Sequence, residues 1–115
     1  MNDREDIEAF LTVVKRLIMA GNWTFIKRQK NLAGLAALGL TIVQAKLEVL
    51  SLSCLDYDRG PLPDNDVAGD VVWEFIKDPN DGSPPIYIKL KIDRRGCVCL
   101  SFHPSSGPTT LPFRK

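Results

Sequence analysis

His103 is the only histidine in the chain, and it is the one side chain whose ordinary pKa lies near neutrality. Tyr87, Lys89 and Ser101 precede it, and Glu74 stands further back. A proton-transfer group, a carboxylate, a phenol and a cation are what phosphodiester cleavage by acid–base chemistry requires. One group moves the proton while cations stabilise the charge that grows on the phosphorus oxygens. The same residues on an inert surface would amount to a Glu74–Lys89 ion pair and a histidine at a strand end before Pro104. The other constellations are weaker. Cys97-x-Cys99 offers two thiols on one strand face, but Cys54 is the only further cysteine, too few donors for a four-ligand zinc site. Asp64-x-Asp66 matches part of a calcium loop without its ordered ligand series or closing glutamate. No phosphate-binding glycine loop, nucleophile elbow or dinucleotide fingerprint is present. No metal and no cofactor are expected.

Bringing those residues together takes a sheet. Residues 71–76, 86–92 and 97–102 alternate as strands, joined by turn-rich links at 78–85 and 93–96, so neighbours run antiparallel. A three-residue turn Arg94-Arg95-Gly96 pairs Asp93 with Cys97, Lys91 with Cys99, Lys89 with Ser101 and Tyr87 with His103. The same register puts Ile86, Ile88, Leu90 and Ile92 in the core, and Tyr87, Lys89 and Lys91 on the wet face. A consistent register for the first strand sets Glu74 beside Lys89 and Ile76 beside Tyr87.

The helices come first in the chain. Ile7, Phe10, Leu11, Val14, Leu17 and Ile18 make one apolar stripe, with Asn2 or Asp3 as the cap and Gly21 as the stop. Trp23-Thr24-Phe25-Ile26 is extended and leads to the basic cluster Lys27-Arg28-x-Lys30. A short helix follows over 31–38, ended by Gly39. Thr41 and Gln44 then form a capping box before a helix whose buried side is Val43, Leu47 and Leu50. Residues 53–70 hold Gly60, Pro61, Pro63, Gly69 and five aspartates without an apolar period, and read as a long loop. The class is α+β, with N-terminal helices packed on one face of a C-terminal antiparallel sheet.

At 115 residues, 44% hydrophobic and 25% charged, the chain is expected to be one domain spanning 1–115. Its apolar share is too high for disorder. It holds no 18-residue apolar run, no signal-peptide core at its start and an odd number of cysteines, so a reducing cytoplasm and no membrane are expected. The net charge of +1 hides an uneven spread, because residues 86–115 carry six Lys/Arg against one acid. Such a basic third suits an anionic partner.

Leu55-Asp-Tyr-Asp-x-Gly-Pro-Leu-Pro-Asp64, Val72-Trp-Glu-Phe75, Ile86-Tyr-Ile-Lys-Leu-Lys91 and Leu100-Ser-Phe-His-Pro104 together resemble the MqsR-type toxins of bacterial toxin–antitoxin systems, relatives of the RelE superfamily. Val14-Lys-Arg-Leu-Ile-x-Ala-Gly21 matches that family's first helix, so the likeness runs over about residues 10–104. The resemblance implies a RelE-like fold and a metal-independent endoribonuclease that cuts mRNA. It also implies a cognate antitoxin as partner, with the ribosome a further candidate. It places the family's strand tyrosine on Tyr87, the lysine two residues on at Lys89, and the catalytic lysine before the sheet on Arg59. Glu74 stands where the type member has glutamine and His103 where it has lysine. On this reading His103 or Glu74 takes the 2′-hydroxyl proton, and the other, or Tyr87, protonates the leaving oxygen. Lys89, Lys91 and Arg59 hold the phosphate, and Lys27, Arg28, Arg94 and Arg95 extend the substrate contacts. Arg59 should point into the site, with Gly60-Pro61-Leu62-Pro63 as a turn behind it, and the aspartates after Pro63 should face solvent away from Lys89 and Lys91. The alternative is an RNA- or protein-binding module that uses the same basic face without chemistry.

Overall fold

The computed structural model describes residues 3–114. It is an α+β fold: α1 (Arg4–Met19), β1 (Trp23–Phe25), α2 (Gln29–Leu38), α3 (Ile42–Leu50), a 3-10 turn (Cys54–Asp56), then β2 (Tyr57–Pro63), β3 (Val71–Lys77), β4 (Ile86–Asp93) and β5 (Gly96–Pro104). The five strands form one sheet in the order β1-β5-β4-β3-β2. The β2–β5 pairings are antiparallel, but β1 joins β5 in parallel, so the sheet is mixed and not wholly antiparallel.

The α1 stripe is the core it promised: Ile7, Leu11, Val14 and Ile18 are buried and Phe10 stacks on Trp73 at 4.4 Å. Asp3 caps the helix by accepting from the Asp6 amide, whereas the alternative cap, Asn2, lies outside the described residues. Thr41 and Gln44 close the expected capping box of α3. The buried side of α3 is different, however. Ala45 and Val49 face the core, while Val43 and Leu47 are exposed. Residues 57–63 are a strand and not a loop, because β3 supplies hydrogen-bond partners to an edge strand that tolerates prolines.

The sheet register holds one irregularity that matters for the site. Next to the turn, Asp93 pairs with Gly96 and Lys91 with Val98, one residue off the expected alignment. Further on, Lys89 pairs with Ser101 and Tyr87 with His103, as expected. The difference is a bulge at Leu100, the residue of β5 left over between the two registers. Cys97 and Cys99 therefore point into the core, beyond reach of a metal on the open face, and burial pushes the Cys97 thiol up to about 12. After the bulge the alternation flips, so Phe102 is core and Ser101 and His103 share the opposite face. Ile92, expected in the core, is 38% exposed near the hairpin tip.

Candidate active site

The bulge is held from α2. Asn31, fully buried, donates from Nδ2 to the carbonyls of Ile26 and Leu100 at 2.8 and 2.9 Å, and its Oδ1 accepts from the Phe102 amide at 3.1 Å. These are backbone groups that a regular ladder would have paired. Gly34, one turn on, lies so close to β5 that a Cβ there would sit 2.5 Å from the Cβ of His103. Helix α2 can thus lie directly against the strand that carries the histidine.

On the face so presented is a hollow of about 420 Å³ lined by Arg28, Lys30, Tyr87, Lys89, Ser101, His103 and Ser106. Nδ1 of His103 lies 3.1 Å from the Pro104 carbonyl. A carbonyl can only accept, so Nδ1 carries the proton and Nε2 is left as the basic nitrogen. Burial lowers the His103 pKa, the Pro104 hydrogen bond opposes it, and the charges of Lys30, Arg28 and Lys89 add to the lowering. The net effect favours the neutral imidazole. Tyr87 packs beside it, ring centroids 5.1 Å apart. The Tyr87 hydroxyl donates to Oε2 of Glu74 at 2.5 Å, and burial together with that carboxylate raises its pKa. Among the described residues Glu74 makes no ion pair with Lys89, though the two are opposite in register. Arg28 donates from Nη2 to the Ser101 hydroxyl at 2.6 Å.

Arg59 lies across the ladder from Glu74 and lines an adjoining hollow with Glu74 and Tyr87. Its Nε is 3.6 Å from Asp58, and Nη2 donates to the Pro108 carbonyl. His103, Tyr87, Lys89, Glu74 and Arg59 thus form one continuous patch with Arg28. Four other cations named from the sequence do not join it. Lys91 is 2% exposed and clamped by Asp64 and Asp70 at 2.6 and 2.7 Å, each partner holding it well inside its charged state. Asp64 and Asp70 therefore turn toward Lys91 instead of facing away from it, and Asp64 and Asp66 border a groove shared with Arg28 and Lys89. Arg94 and Arg95 stand at the hairpin tip, where Arg95 closes on Asp93 at 2.7 Å. Lys27 is exposed outside the hollow. The site residues that sequence spacing did not single out are Lys30 and Ser106. The first sits in the basic cluster at the start of α2, while nothing local marks the second.

Fold and site define an α+β protein with a cationic hollow, holding a histidine and a tyrosine, on the sheet face turned away from α1. The chain belongs to the MqsR toxin family: the family described as motility quorum-sensing regulator, toxin of MqsA, matches residues 8–104. Neither the curated proteins nor the solved structures contain a match. Membership makes the chain a toxin of a toxin–antitoxin system with an antitoxin as its implied partner. Among the described residues no single helix is long and apolar enough to cross a membrane.

Proposed function

We propose that the chain is a metal-independent endoribonuclease that cuts mRNA in the cytoplasm. The observation that carries this reading is His103, whose Nδ1 sits 3.1 Å from the Pro104 carbonyl and so leaves Nε2 for chemistry, inside a hollow bearing three cations. Nε2 accepts the proton of a ribose 2′-hydroxyl as that oxygen attacks phosphorus. The bond from phosphorus to the 5′-oxygen breaks, and the leaving oxygen takes the Tyr87 proton. An alkoxide is a stronger base than even a raised phenolate, so that transfer runs downhill. Glu74 holds the phenol in place beforehand. Arg28, Lys30 and Lys89 neutralise the charge on the equatorial oxygens. His103 then returns its proton to water and Tyr87 regains one.

The expected products carry 2′,3′-cyclic phosphate and 5′-hydroxyl ends, formed in the presence of a chelator. End-group analysis of purified RNA digests tests this, and 5′-phosphate ends would overturn the mechanism. Expressing the chain should arrest growth, and His103→Ala and Tyr87→Phe should relieve the arrest. Variants that bind RNA and still arrest growth would leave binding alone as the toxic activity.

A further inference from the structure

Past the family match, residues 105–114 run as a strap to the opposite edge of the sheet. The Ser105 amide donates to the Pro85 carbonyl at 2.8 Å. At β2, Asp58 is only 5% exposed, and its carboxylate accepts from the amides of Thr110 and Leu111 at 2.5 and 3.1 Å. Its carbonyl accepts from the Thr110 hydroxyl. Leu111 has φ 38, left-handed backbone that a leucine keeps only where its surroundings hold it. Arg114 closes on Asp56 at 2.6 Å. The strap is anchored, and Asp58 is the anchor.

Between strap and sheet lies a hollow of about 260 Å³ that shares Tyr87 and Ser106 with the cationic one. Its chemistry differs. Arg59 faces two carboxylates, Asp58 and Glu74, so a phosphate gains little there. The remaining polar groups are the hydroxyls of Ser105, Ser106 and Thr109, for which the described residues provide no hydrogen-bond partner. Hydroxyls that both donate and accept, beside a carboxylate, match a sugar.

We propose that the strap hollow is a ribose subsite. It takes the sugar on the 3′ side of the scissile phosphate, the one whose 5′-oxygen leaves beside Tyr87, and reads its 2′-hydroxyl, the group that tells RNA from DNA. Asp58 is the positioning residue, since it fixes both the strap and Arg59. The assignment rests on the ribonuclease reading only in putting the scissile phosphate in the neighbouring hollow.

The test measures RNA and DNA of one sequence binding to a His103→Ala chain, by fluorescence anisotropy. That parent should prefer RNA about tenfold, the scale of one or two hydrogen bonds. Adding Ser105→Ala and Thr109→Ala, which line the strap hollow but not the cationic one and leave the Ser105 amide on Pro85, should bring the ratio near one without weakening DNA binding. Asp58→Asn should act the same way through the strap. Equal affinities in the parent, or an unchanged ratio in the double variant, overturns the proposal. Failure of the ribonuclease reading shows separately, as RNA left intact by the unsubstituted chain.

Discussion

A histidine with one ring nitrogen committed to a backbone carbonyl has only the other for chemistry, and its environment sets the pH at which that nitrogen is free. For His103, burial and the neighbouring Lys30, Arg28 and Lys89 together outweigh the opposing Pro104 hydrogen bond and favour the neutral ring. The base is therefore active above its pKa, and kcat/KM should rise with pH through an apparent value below the ordinary histidine figure of about 6.5, then stay flat toward pH 8. A rate profile rising through a value above 7 would rule out His103 as the base. His103→Ala should cost about 10²–10⁴ in rate at pH 7, the usual worth of a positioned base, with melting temperature little changed. Alternation made the shared face of Tyr87 and Lys89 legible in the sequence, but their pairing with His103 and Ser101 came out as expected only because a bulge offsets a tighter turn. The burial of Lys91 was not legible. Strand alternation puts it on the right face, and only the segment folded over it, with Asp64 and Asp70, removes it from the site.

At the scale of elements, two errors of opposite kind cancel along β5. A turn one residue tighter than expected shifts the register, and the bulge at Leu100 shifts it back before Ser101. Without the bulge His103 would share a face with Cys97 and Cys99, inside the core. Nothing local in Cys97-Val98-Cys99-Leu100-Ser101 announces the bulge, since its partner is Asn31, 69 residues away from Leu100. Asn31→Ala should therefore do more than remove a polar side chain. It leaves three backbone groups without that partner, the Phe102 amide among them fully buried, a loss of about 3 kcal/mol. Chemical denaturation measures that loss, and cleavage should fall further than the unfolded fraction accounts for, because the histidine's strand loses its guide. Equal falls in both would mean that Asn31 serves stability alone. The orientation of α3 shows a related limit of sequence patterns. Val43 and Leu47 repeat as regularly as Ala45 and Val49, and the packing partner, α1, decides which side is covered. Likewise, the prolines of β2 argue against a central strand but not against an edge.

Across the whole molecule, the even balance of charge conceals how few cations are free to meet an anion. Of the basic residues in the C-terminal third, Lys91, Arg95 and Arg114 are each spent on an aspartate. Arg59 is held by Asp58. The hollow draws its charge from two distant parts of the chain: Arg28 and Lys30 from the start of α2, and Lys89 from β4. Among the described residues none of these three is in an ion pair. The compositional bias toward the C-terminus thus points to an anionic partner while locating its site only in part. Binding of single-stranded RNA should follow from the three. Each neutralised phosphate releases about 0.7 of a counterion, so log affinity against log salt should fall with a slope of about −2. Lys30→Ala should bring that slope to about −1.4, while Arg94→Ala and Arg95→Ala should leave it unchanged. A slope near −4 in the unsubstituted chain, lowered by the hairpin-tip variants, would move the RNA path out of the hollow and onto the tip. The measurement uses His103→Ala protein, so that the RNA stays whole throughout the titration.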